Sequence, residues 1–466
     1  MSELEHFDLV VIGAGPAGEK AAAQTAFFKK SVAIIECEPE PGGAAVHTGT
    51  LPSKTLRETA LYLSGYHARQ LYGVALELDR NATLPRLMSR KNAISAAESR
   101  SFRKNLAQHG VRYVQGRGRL VDAHTVSVDS PTGGRRLSAD FILLATGSKP
   151  HRPADIDFAD AWIHDSDEIL TINDLPTSLT ILGGGVIGCE YACMFAALGV
   201  KVTLVDARSE ILPFLDAEIV TRLKAAMNKL GIQMLQGQRW TTVVRSPTGV
   251  VTTLSDGSTL ENQQLLFAAG RSGCVSDLGL ETVGLVADAR GCIPVDAEYR
   301  TKVPNIFAAG DVIGFPALAS VSMEQGRVAM CHAFGFSYKT AVAAAMPYGI
   351  YTIPEVSSFG ETEETCQQKK IDYVVGRGLF ENNARGKITG DLEGITKLIV
   401  DAKSRKLIGV HVIGERATEL VHIGQTAIHL AATVDVFIDM VFNYPTLAES
   451  YKYAAYHCLV ALATKQ

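Results

Sequence analysis

One strand–turn–helix–strand unit occurs twice in this chain, and that repeat limits the possible folds more than any other feature. The first copy is DLVVIGAGPAGEKAAAQTAFFKKSVAIIE (8–36); the second is LTILGGGVIGCEYACMFAALGVKVTLVD (179–206). Each runs from a short apolar strand through G-x-G-x-x-G into an Ala-rich helix. Each then returns on a second apolar strand that ends in an acid. The glycines are Gly13, Gly15 and Gly18 in one copy, and Gly183, Gly185 and Gly188 in the other. The acids, Glu36 and Asp206, both stand 23 positions after the first glycine. One such motif is weak evidence, but two in full register predict two dinucleotide-binding units.

The physical roles follow from the spacing. The first glycine makes a tight turn, the second lets the backbone approach a pyrophosphate, and the third lets helix and strand pack closely. The helix N-terminus favours the phosphate charge. The terminal acid accepts hydrogen bonds from a ribose. Two sites in one chain suggest an electron relay, with a flavin dinucleotide at one and a nicotinamide dinucleotide at the other. Three further strand–glycine junctions agree: FILLATGSKP (141–150) with Gly147, LLFAAGRS (265–272) with Gly270, and FAAGDVIG (307–314) with Gly310 and Asp311.

The chain of 466 residues is long enough for two to four domains. At 47% apolar and 20% charged it has a globular composition, and a net charge of -4 gives no basic field for nucleic acid. The apolar tract at 180–200 is interrupted by glycines and Glu190, so it reads as strand–turn–helix rather than a membrane span. The acidic start, MSELEHFD, lacks a signal-peptide layout, and a cytoplasmic protein is expected. The eight cysteines form no C-x-x-C and no zinc-ligand spacing, so reduced thiols and no metal site are expected.

In order, GAGPAG, GG…PSK, ATGS, GGGVIGCEYA, FAAGR, IFAAGDV and FNYPTLAES (442–450) span nearly the whole chain. With these landmarks it resembles the two-dinucleotide-binding flavoprotein disulfide reductases, the family of dihydrolipoamide dehydrogenase. Within that family, DVIGFPALAS, GIYTIPEVSSFGETE and GERATELVHIGQ are similar to the soluble pyridine nucleotide transhydrogenase branch. The resemblance implies an α/β fold of two Rossmann-like domains plus a C-terminal α+β dimerisation domain. The implied bounds are 1–150 and 273–340 for FAD, 151–272 for NAD(P), and 345–466 for a homodimer interface. Implied FAD contacts are Gly13, Gly15, Gly18, Glu36, Gly43, Gly147, Gly310 and Asp311. For NAD(P)H, the substrate, they are Gly183, Gly185, Gly188, Asp206, Arg208 and Gly270. Lys54 of the PSK motif is implied to sit beside the flavin ring, paired with Glu190.

The stretch GGAAVHTGTLPSK (42–54) departs from that family. Disulfide-using members carry two cysteines where this chain has Ala45 and Thr50. They also carry a histidine–glutamate pair where it has Tyr444 and Glu449. A tyrosine, with an ordinary pKa of about 10, is a poor general base near pH 7. The dithiol and the base that serves it are missing together. His47 and Thr50 resemble the transhydrogenase branch and are candidates to act beside the flavin.

The expected activity is therefore hydride transfer from NADPH to NAD by ping-pong through FAD. An NAD(P)H:quinone, dye or oxygen reductase is the alternative. Dihydrolipoamide dehydrogenase activity and a low-turnover flavoprotein sensor rank lower. Coenzyme preference stays open: Asp206 favours a 2′-hydroxyl, and Arg208 could offset a 2′-phosphate.

Overall fold

Each repeated unit forms the centre of its own parallel sheet. The computed structural model describes residues 4–66, 71–73, 79–130, 133–343 and 345–465. The first three residues of MSELEHFD therefore lie outside the described residues. In the first sheet the parallel order is Arg112–Gln115, Val32–Glu36, Glu5–Ile12, Arg135–Leu144. The last of these strands is shared. Its first half pairs antiparallel with Thr125–Asp129, and its second half pairs parallel with Ile306–Ala308. All five residues of VAIIE (32–36) are buried, as expected of a parallel strand covered on both faces.

The second sheet is parallel throughout, in the order Gln233–Gln236, Lys201–Asp206, Ser178–Leu182, Gln264–Phe267, Ile163–Asp165. The tract at 180–200 is the end of one strand, a glycine turn and helix Val186–Ala197, with Glu190 buried. No described helix is long and apolar enough to cross a membrane. A two-stranded ribbon, Ser148–Pro150 against Arg271–Gly273, lies where the chain crosses between the two sheets.

The C-terminal sheet is antiparallel: Tyr348–Ile350, Glu355–Gly360, Leu407–Gly414, Ile395–Asp401, Tyr373–Leu379. Helix Ser450–Lys465 lies tight against its edge strand because Gly376 and Gly378 have no side chains there. A Cβ at either would sit 2.0 or 2.1 Å from the carbonyl oxygens of Ala454 or Ser450.

A buried ion cluster ties the second parallel sheet to this one. Lys397 is 1% exposed, and its Nζ lies 2.7 Å from Asp216 Oδ1 and 3.1 Å from Glu218 Oε2. Glu363 is a third carboxylate partner. Arg377 Nη2 adds a second cation, 2.8 Å from Glu218 Oε2. Asp216 also caps helix Ala217–Lys229 by accepting the Glu218 amide.

Candidate active site

The two glycine turns match bond for bond. Gly13 N donates to Ile35 O at 2.8 Å, and Gly183 N donates to Val205 O at 2.8 Å. Ala145 N closes on Ile12 O, and Ala268 N on Leu182 O, again both at 2.8 Å. Gly13 and Gly183 have φ of +106° and +114°, a region that glycine tolerates. A Cβ on Gly18 would meet Gly13 O at 1.9 Å, and one on Gly188 would meet Gly183 O at 1.8 Å. The third glycine is thus what seats each helix on its turn.

Both helices begin on a glycine N-cap, Gly15 and Gly185, with no side-chain capping bond. Their first-turn amides have no side-chain cap, which suits an anionic ligand. In the first unit Gly43 passes so close that its Cβ would lie 3.0 Å from Gly15 Cα. Two bare backbones thus meet there. In the second unit nothing lies within 4 Å of a Cβ on Gly185 or Gly270. The acids close the turns: Glu36 Oε2 accepts from Ala14 N at 2.8 Å, and Asp206 Oδ2 accepts from Gly184 N.

The stretch at 42–54 folds as helix Gly43–His47 running into helix Thr50–Ser64. Lys54 Nζ reaches across to the second unit and donates to Glu190 Oε2 at 2.7 Å. Glu190 is 7% exposed, and its other oxygen accepts the Tyr351 amide at 3.0 Å. The Tyr351 ring sits under the ammonium, 4.9 Å from Nζ to centroid, in cation–π range. Sequence reasoning paired Lys54 with Glu190 but missed Tyr351, which lies 161 positions from Glu190.

Neither the His47 nor the Thr50 side chain hydrogen-bonds to this pair among the described residues. His47 Nε2 is 3.0 Å from Pro41 O and 3.2 Å from Ser99 Oγ, so the ring is held locally. Thr50 opens its helix and is exposed. Tyr444 is 74% exposed, and Glu449 is 3.5 Å from the Tyr453 hydroxyl. Neither shares a hydrogen bond or ion pair with Lys54 or Glu190 among the described residues.

A second polar chain links the two units. Ser148 Oγ donates to Asp311 Oδ2 at 2.8 Å, and Arg271 Nε donates to Ser148 Oγ at 2.8 Å. Arg271 Nη1 also faces Asp167 Oδ1 at 3.5 Å. Burial pushes the Asp167 carboxyl above the usual range against the pull of Arg271. This network of Asp311, Ser148, Arg271 and Asp167 joins both units. The sequence named only Asp311 of these.

All eight cysteines are free thiols. Burial raises each of them above the ordinary value: Cys193 to about 12, Cys37 to about 11, with the others shifted the same way. None is a poised thiolate near neutral pH. Cys189 Sγ faces Gly184 O, a packing role.

Residues 7–326 match the family model described as pyridine nucleotide-disulphide oxidoreductase. Residues 346–455 match the dimerisation domain of the same family. The chain is 44% identical over 454 residues to a soluble pyridine nucleotide transhydrogenase of Mycobacterium bovis, covering 97% of each. It is 40% identical to one from Marinomonas sp., also with 97% of each covered. Among solved structures, LpdA of Mycobacterium tuberculosis superposes with a TM-score of 0.89 at 29% identity, over 97% of this chain and 99% of that one. The matched models, the duplicated turns and the C-terminal antiparallel sheet agree, and the chain belongs to the pyridine nucleotide-disulphide oxidoreductase family.

Proposed function

We propose that this chain moves hydride between NADPH and NAD at a flavin site that has no dithiol. One observation carries the reading: the Lys54–Glu190 bridge of 2.7 Å stands beside a stretch with Ala45 and Thr50 in place of cysteines. Full-length similarity to proteins named soluble pyridine nucleotide transhydrogenase supports it. FAD, when bound, supplies the chemistry by taking a hydride from one nicotinamide and giving it to the next.

Gly13, Gly15, Gly18, Glu36, Gly43, Gly147, Gly310 and Asp311 hold FAD. They fit it: Gly43 packs against Gly15 with no side chain on either to cover the helix start, and the amides beyond Gly15 lack a side-chain cap. Gly183, Gly185, Gly188, Asp206, Arg208 and Gly270 hold the nicotinamide dinucleotide. Lys54 places a positive charge at the redox face, Glu190 orients it, and Tyr351 fixes both. Arg271 and Ser148 position Asp311. His47 anchors the Pro41 turn that leads into the 42–54 stretch. Residues 1–150 and 273–340 form the FAD domain, 151–272 the nicotinamide domain, and 345–466 the homodimer interface that carries Tyr444 and Glu449. The site of action is the cytoplasm.

One nicotinamide site implies that donor and acceptor alternate. Steady-state rates with NADPH and a thionicotinamide analogue of NAD are expected to give parallel double-reciprocal lines. Intersecting lines would require both coenzymes to be bound together. Turnover with benzoquinone but none with the analogue would favour the quinone reductase.

A further inference from the structure

The duplication supplies its own control for the ribose site. In the first unit Glu36 accepts two backbone amides, Ala14 at 2.8 Å and Glu38 at 2.9 Å, and no lysine or arginine joins them among the described residues. In the second unit Asp206 keeps the matching contact to Gly184 N and gains Arg208. The Arg208 amide and Nε donate to Oδ1 at 2.7 and 2.9 Å, and Nη2 donates to Oδ2 at 2.7 Å. A carboxylate offers about four lone-pair positions, and these four donors occupy them. A ribose hydroxyl finds no acceptor on Asp206 until the Arg208 side chain moves.

Arg208 is placed to move. Its side chain is 49% exposed, whereas that of Asp206 is 5% exposed. Asp206 itself is fixed by the turn, since a Cβ on Gly184 would lie only 2.8 Å from its Oδ2. Burial pushes the Asp206 carboxyl up, but the Arg208 and Gly184 hydrogen bonds outweigh this and hold it below the usual range. The acid is therefore a full negative charge with a detachable partner.

We propose that Arg208 is a hinged counter-ion that lets this one site accept both 2′-hydroxyl and 2′-phosphate dinucleotides. With a 2′-hydroxyl, the guanidinium swings outward and Asp206 accepts the hydroxyl. With a 2′-phosphate, the guanidinium stays between the two anions, keeps Nε and Nη2 on Asp206 and donates its remaining Nη hydrogens to the phosphate. This rests on the second glycine unit being the nicotinamide dinucleotide site. It explains how one site serves a donor and an acceptor whose adenosine halves differ only at the 2′ position.

The test is calorimetric binding of ADP-ribose and 2′-phospho-ADP-ribose to the flavin-loaded protein. Neither ligand carries a nicotinamide, so the readout does not depend on turnover. Arg208→Ala is expected to weaken the 2′-phosphate ligand about 30-fold, with ADP-ribose unchanged or tighter. Arg208→Lys, which keeps the charge but not the fork, should fall between. Asp206→Asn should shift the ratio the other way, towards the 2′-phosphate, by about 10-fold. An unchanged ratio in Arg208→Ala, or equal weakening of both ligands, would overturn the counter-ion role. Failure of the unmodified protein to bind either ligand would instead overturn the assignment of the second unit.

Discussion

Lys54→Ala is expected to slow the bleaching of bound FAD by NADH about 100-fold, the scale of losing one preorganised charge at a reacting centre. The flavin content of the purified variant should stay full, because Lys54 is not part of the glycine cradle. Structurally, the substitution removes the cation 2.7 Å from Glu190 Oε2 and 4.9 Å above the Tyr351 ring. Glu190 keeps only the Tyr351 amide at 3.0 Å as a named donor. Lys54→Arg should recover part of the rate by restoring the charge with altered geometry. Stopped-flow absorbance and the flavin-to-protein ratio give both readouts. Unchanged bleaching would remove Lys54 from the redox step.

Lys397→Met is expected to cost about 3–5 kcal/mol of stability at pH 7, the usual scale for breaking a buried ion pair from one side. Asp216 is fully buried, Lys397 is 1% exposed, and Glu218 and Glu363 complete a group of three carboxylates around one ammonium. Without the lysine, Arg377 and Arg222 remain beside Glu218, at 2.8 and 3.5 Å, and the buried Asp216 loses its ammonium partner. The cluster also sets an acid limb. Burial raises the Glu218 carboxyl, but bonds from Arg377 and the Lys397 charge outweigh it and bring it from 4.5 to about 2. A carboxyl lowered on folding stabilises fully above its unfolded value. That stabilisation is lost as pH falls from about 4.5 towards about 2. Denaturant unfolding across this range should show a shallower acid slope in Lys397→Met than in the unmodified chain. Equal stability of the two at pH 7 would mean that the acids neutralise themselves by taking up protons.

Local features were legible in the sequence and long-range ones were not. The glycine turns could be read because each is written within about 30 consecutive residues, and turn, helix start and acid are fixed by backbone sterics. Asp206 and Arg208 were both nameable for the same reason, but their bidentate geometry was not, since loop arginines have many rotamers. Lys54 and Glu190 lie 136 positions apart, and only the family resemblance joined them. Tyr351 carried no local signal: its amide and ring act through a strand–loop junction that approaches Glu190 only in the folded chain. Lys397 sits in ITKLIVD (395–401), whose alternation reads as an ordinary strand. Its partners come from residues 216–218 and 363, so its burial could not be anticipated. His47 was a candidate by position beside the flavin stretch, but Pro41 and Ser99, the latter on a separate helix, hold its ring.

The central claim is hydride transfer between coenzymes without thiol participation. It is tested most directly by removing FAD, alkylating the folded protein without denaturant until Cys37, Cys274 and Cys292, the thiols that are not buried, have reacted, then restoring FAD. Formation of the reduced thionicotinamide product from NADPH is then followed. The account predicts turnover within about threefold of a mock-treated sample, because no cysteine thiol is poised as a thiolate. Loss of product formation in protein that has regained its flavin and still bleaches with NADPH would contradict it.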